Sequence, residues 1–273
     1  MIQHDPPRRT VLCGIATGAA AAVSGCLNSS DNGETDSGDD GVFTTLDVEG
    51  TDLVIELTEE ASIDQVNVID PDGELFAERW IAAGVDRETV ELGTDYQPGE
   101  YEIVALEDDT EQTTQSITLE PDVQITDLRL ARNHPDDMFE DASDIDIRTE
   151  TILTLENTGT GPDAAVGLYF SGDIPRPTPD EYEESGIYDT DSDIRRDADS
   201  VALPPGEGVT IYSQLMPFSE SGGNVSCSPD TTEGDLRVVL ETAVQESFSP
   251  RDYAVTYTGE DLAECEIEVE VNP

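Results

Sequence analysis

Four cysteines and two histidines are the residues on which nucleophilic, redox or metal chemistry would have to be built in this 273-residue chain. A Ser-His-acid or Cys-His set needs an imidazole to take up the proton. His4 falls in an opening stretch with the marks of an export signal, which leaves His134. That residue sits in Arg132-Asn133-His134-Pro135-Asp136-Asp137, a polar loop and not a strand end beside a glycine-rich elbow. There is no GxSxG, phosphate loop or dinucleotide fingerprint. His134 reads as a surface residue, no catalytic residue is assigned, and the chain is expected not to be an enzyme. Carboxylate pairs of the glycosidase kind stay open, because 63 Asp and Glu make their spacing uninformative.

Asp189, Asp191 and Asp193 alternate as the first ligands of a calcium loop do. The sixth place holds Ile194 where the loop needs glycine, the twelfth holds Ser200 where it needs glutamate, and Arg195 and Arg196 oppose a cation. An acidic, solvated insertion is the preferred reading, with Ca2+ as the weaker one and no cofactor expected.

The charge of −51 comes from those 63 acids against 12 basic residues, every one an arginine. An acidic tail or a cation-binding surface would collect the acids in one block. Here they are spread through every segment and interleaved with apolar alternation. That distribution fits a surface adapted to molar salt, where the Debye length falls to about 3 Å and self-repulsion is screened. Nucleic acid is excluded as a partner by the sign of the charge.

The first residues carry a different message. Arg8-Arg9 precede an apolar run of small residues from Val11 to Val23, followed by Ser24-Gly25-Cys26. The run is shorter than the roughly 20 residues of a spanning helix, and its flanks are those of an export signal. The paired arginines resemble a twin-arginine signal, and Val23-Ser24-Gly25-Cys26 resembles a lipobox. The resemblance implies a signal over residues 1–25 and a lipid on Cys26 at the outer face of a haloarchaeal membrane; an uncleaved N-terminal anchor with an incidental Cys26 is the alternative. Residues 26–41, rich in Gly, Ser and Asp, cannot bury a core and read as a disordered tether.

From Val42 the pattern becomes short alternating segments between turns. Leu53, Ile55 and Leu57 share one face; Asp70-Pro71-Asp72-Gly73 is a tight turn; Asp108-Asp109 is the tip of a polar hairpin. The best helix candidate is a turn or two near Ala77 to Ala83. About seven short strands over residues 42–120 read as a β-sandwich. Pro98-Gly99-Glu100-Tyr101 resembles the "PGxY" start of a late strand in immunoglobulin-like and fibronectin-like domains, which implies that Tyr101 is a core staple.

A second module spans residues 121–273, with an insertion near 171–200. Val123 to Ile125 and Leu128 to Leu130 form its opening strand, with room for a bulge between them. Thr151 to Gly161 ends in Asn157-Thr158-Gly159, and Pro205-Gly206-Glu207 precedes a further strand. With Ala165 to Phe170, these runs resemble CARDB-like immunoglobulin-like adhesion modules, which implies a binding or spacer role without catalytic residues. The final run puts Cys265, Ile267, Val269 and Val271 inward. The fold class expected is all-β, two immunoglobulin-like β-sandwich modules.

Cys227 and Cys265 both fall in the second module. Outside the cell such a pair normally oxidises, although a metal or redox pair is the alternative. Asn28-Ser29-Ser30 and Asn224-Val225-Ser226 are glycosylation sequons. The functional expectation is a lipid-anchored extracellular binding or spacer module, its partners the membrane and an unidentified envelope protein or surface polymer. The alternative is a secreted hydrolase, or an accessory subunit of an envelope enzyme or transport complex.

Overall fold

The computed structural model describes residues 41–59, 61–175, 187–188, 200–213, 216–219, 225, 227–245, 248–261 and 264–272. The expected export signal and tether therefore lie outside the described residues, as does most of the expected insertion.

Seven strands fall between Phe43 and Leu119: β1 (Phe43–Glu49), β2 (Asp52–Leu57), β3 (Gln65–Ile69), β4 (Leu75–Trp80), β5 (Arg87–Glu91), β6 (Gly99–Glu107) and β7 (Thr110–Leu119). They pair antiparallel in two sheets, ordered β1-β2-β5 and β4-β3-β6-β7. Alternation in these strands puts one residue in two between the sheets. Leu53, Ile55, Val66, Val68, Val90 and Ile103 are consequently sealed from solvent in one cluster. Burying each such side chain is worth about 1.5–3 kcal/mol, which makes this face-to-face pairing the main stabilising term.

The second set runs β8 (Val123–Leu130), α1 (Asp144–Thr149), β9 (Thr151–Asn157), β10 (Asp163–Gly172), β11 (Ile187–Tyr188), β12 (Val201–Leu203), β13 (Gly208–Ser213), β14 (Thr232–Thr242), β15 (Phe248–Thr258) and β16 (Glu266–Val271). Its sheets are β12-β10-β14-β15-β16 and β11-β13-β9-β8. A separate cluster including Leu153, Leu155, Phe170, Ile211, Val238 and Tyr257 fills the space between them. The chain is thus an all-β protein of immunoglobulin-like sandwich architecture.

Several local readings hold at the level of atoms. The amide of Gly73 donates to Asp70 O at 2.9 Å, and Gly73 takes φ +82°, a value that favours glycine. Asp108 and Asp109 also have positive φ at the β6–β7 hairpin, where short polar side chains tolerate it. The pairing of β8 with β9 shifts register between Ile125 and Asp127, a β-bulge at the expected place.

Three readings are corrected. The stretch near Ala77 to Ala83 is not helical: its first part is β4, with Val68 opposite Ala77 and Val66 opposite Arg79. Pairing with β3 and the turn at Gly84, φ +85°, override its alanine content. Val271 does not point into the core but is 53% exposed, because the cluster ends at Val269 and the last residue of β16 overhangs it. Helix α1 was not expected. It is begun by a capping box, in which Ser143 Oγ accepts from the Asp146 amide and Asp146 accepts from the Ser143 amide.

Candidate functional site

Cys227 and Cys265 form a disulfide with Cα atoms 6.0 Å apart. Both are buried against the second core, and the bridge ties the segment before β14 to the start of β16. Arg8, Arg9, Cys26, Asp189, Asp191 and Asp193 lie outside the described residues. His134 precedes a one-turn 3-10 helix, Pro135–Asp137, with Nδ1 3.7 Å from Asp137 Oδ2 and its side chain 46% exposed. Arg129 also holds Asp137, so the imidazole stands beside a surface ion pair. Among the described residues, no three His, Cys, Asp or Glu side chains are grouped to hold a metal ion. None of the described helices is long and apolar enough to cross a membrane.

Tyr101 is sealed in the first core, and its hydroxyl donates to Gln97 O at 2.9 Å, the staple expected at that corner. Neighbouring Tyr96 does something the sequence did not announce. Its hydroxyl crosses to the second sandwich and donates to Pro162 O at 2.9 Å. Burial, reinforced by the nearby Asp163 carboxylate, pushes its phenol well above the usual tyrosine range.

Asp163 is fully buried at the start of β10. Its carboxylate accepts from the amides of Ala164 at 2.7 Å, Val244 at 2.8 Å and Gln245 at 3.2 Å. A buried carboxylate is costly unless donors surround it, and three amides meet that condition. They also fix the turn after β14, whose Val244 side chain packs into the first sandwich's cluster and not the second's.

Asn157 completes the junction. Its Nδ2 donates to Gly161 O and Leu203 O, both at 2.9 Å, while its Oδ1 accepts from the amides of Asp122 and Gly159, both at 3.1 Å. A Cβ on Gly161 would collide with the Tyr96 hydroxyl, and one on Gly159 with the backbone at Glu120–Asp122. These two glycines let the loop between β9 and β10 lie against the connection between sandwiches.

At the opposite end of the first sandwich, where the chain enters at Val42, a groove of about 740 Å³ opens among the β2–β3, β4–β5 and β6–β7 connections. Leu57, Ile63, Ile81 and Val85 supply its apolar part; Glu59, Asp64, Asp86, Glu107 and Asp108 supply carboxylates. Asp64 Oδ2 accepts from the Asp108 amide at 2.9 Å, the Ile81 amide donates to Asp64 O at 2.9 Å, and the Leu57 amide to Asp86 O at 2.7 Å. The three connections are thereby tied to one another. Trp80, 67% exposed, is the residue before Ile81, and Val85 is 38% exposed.

No family of known proteins matches the chain, and no curated protein matches it. Similar solved structures include a two-domain fibronectin type-III segment of chicken tenascin, at 12% identity, TM-score 0.25, over 84% of this chain and 96% of that one. The human OSCAR ligand-binding domain is similar at 9% identity and TM-score 0.22, over 83% of this chain and 92% of that one. A glycosyl hydrolase family 2 member from Bacteroides cellulosilyticus is similar at 14% identity and TM-score 0.22, over 75% of this chain. The chain spans 24% of that enzyme's length.

Proposed function

We propose that this chain is an exported lipoprotein, held by a lipid on Cys26 outside a haloarchaeal membrane, whose two sandwiches act as a non-enzymatic binding or spacer unit. The observation that carries the spacer reading is the seating of Val244, from the second sandwich, in the core of the first, fixed by Asp163. A flexible pair of modules cannot hold a partner at a set distance; a pair sharing buried apolar and hydrogen-bonded contacts can. On this reading residues 26–41 join the lipid to the sandwiches, and the sandwiches supply stiffness. The acidic surface keeps such a unit soluble in molar salt. Its partners on this reading are the membrane, through the lipid, and an envelope protein or surface polymer.

Lipidation is tested by detergent phase separation of cell extracts. The native protein partitions into the detergent-rich phase and is degraded when protease is added to intact cells. The Cys26→Ala variant partitions into the aqueous phase. Equal partitioning of the two proteins, or protection from external protease, contradicts the proposal. Salt adaptation is tested separately by circular dichroism, with loss of the β-sheet signal expected as NaCl falls from molar to millimolar.

A further inference from the structure

We infer that the groove at the chain-entry end of the first sandwich binds an extended peptide segment of a partner protein that is both cationic and apolar, with arginine or lysine alternating with aliphatic residues.

Acids alone would not make a site on a chain carrying −51. What sets this place apart is the apolar surface left among them. Val85, one of the few large hydrophobic residues exposed among the described residues, stands in the groove's wall with Ile63 and Ile81, and Trp80, the exposed last residue of β4, directly precedes Ile81. Its volume of about 740 Å³ falls in the range of ligand sites, roughly 300–1,000 Å³. The walls are preformed, because backbone hydrogen bonds at Leu57, Asp64 and Ile81 tie the connections together, so binding need not order them.

The rim then selects the sign of the occupant. Five carboxylates line the groove, and no arginine is among the described residues that line it. Arg87, next in sequence to Asp86, is directed elsewhere: Nη2 is 2.8 Å from Glu49 Oε2 and Nη1 is 3.1 Å from Glu56 Oε1. Molar salt screens charges beyond about 3 Å, so selection acts at contact distance, where an anionic group would meet a carboxylate with no hydrogen to donate and a guanidinium would pair with it. An alternating peptide places aliphatic side chains on the floor and guanidinium groups at the rim, in the geometry that makes charge-assisted hydrogen bonds. This goes beyond the anchored-spacer reading and does not depend on it, because the soluble Cys26→Ala protein carries the same groove.

The chain has a single tryptophan, Trp80, next in sequence to the lining residue Ile81, and its fluorescence serves as a neighbouring reporter. Three acetylated pentapeptides alternating leucine with arginine, glutamine or glutamate would be titrated into the Cys26→Ala protein, in salt sufficient for the full circular-dichroism signal. Calorimetry provides the second readout. The arginine peptide is expected to shift the Trp80 emission and to bind about tenfold tighter than the glutamine peptide, with no binding of the glutamate peptide. In the Glu59→Gln/Asp86→Asn double variant, whose dichroism is unchanged, the preference for arginine disappears. Val85→Asp removes binding of both peptides. Equal affinity for the arginine and glutamine peptides, retention of the preference in the double variant, or no binding of any peptide at millimolar concentration overturns the inference.

Discussion

The Val244 amide donates to the Asp163 carboxylate at 2.8 Å, and through that bond a side chain of the second sandwich is set into the core of the first. Three backbone donors converge on this one buried carboxylate. Replacing it leaves them without their acceptor in a site closed to water. Asp163→Ala is expected to destabilise the protein by about 3 kcal/mol, from unsatisfied buried donors that cost about 1–3 kcal/mol each and relax in part. Urea unfolding at constant high salt measures this. Tyr96→Phe, which removes one neutral hydrogen bond, is expected to cost about 1 kcal/mol.

Alkaline pH acts on the same core. Burial raises the phenol of Tyr96, and the Asp163 carboxylate adds to it; burial likewise raises Tyr101 and Tyr257. Burial pushes Tyr253 up to about 12, against the partial opposition of Arg251. Each is neutral in the fold at a pH where the unfolded phenol, pKa 10.0, begins to ionise. Stability from these groups is therefore complete below pH 10 and falls as pH rises above it. Absorbance at 295 nm is expected to show a fraction of the eight tyrosines ionising only with loss of the dichroism signal. Titration of all eight before unfolding contradicts this.

The disulfide gives a third expectation. Cys227 and Cys265 are 38 residues apart in sequence, and closing that loop restricts the unfolded chain. Reduction is expected to lower stability by about 4 kcal/mol in the chain-entropy account, with the sandwich retained in high salt. The comparison is urea unfolding of oxidised and reduced protein at the same salt concentration. Identical midpoints would show that the bridge constrains nothing.

The parts of this fold that were legible in sequence are those in which a residue answers to its near neighbours. The Asp70–Gly73 turn, the Asp108–Asp109 hairpin, the Tyr101 staple and the alternation from Cys265 to Val269 each need only a few adjacent positions. The strand at Leu75–Trp80 was misread because its alanine and bulge blur the two-residue period, and only pairing with β3 decides its state. The Ser143-x-x-Asp146 capping box was a readable signal for α1 that was missed. The junction was beyond reach. Asp163 looks like any other acid in a chain with 63, and its donors at Val244 and Gln245 lie 81 and 82 positions away. The groove is hidden for the same reason: its carboxylates and aliphatic residues come from three connections between strands that only the fold brings together.

The most direct test of two sandwiches held as one unit is 15N relaxation of the Cys26→Ala protein without its signal, at the salt concentration that supports the fold. The account predicts that amides of β1–β7 and of β8–β16 fit a single anisotropic rotational diffusion tensor. It also predicts that Asp163→Ala lets them reorient separately. Two independent and faster correlation times in the unsubstituted protein would contradict it, because Val244 would then not be seated in the first core in solution.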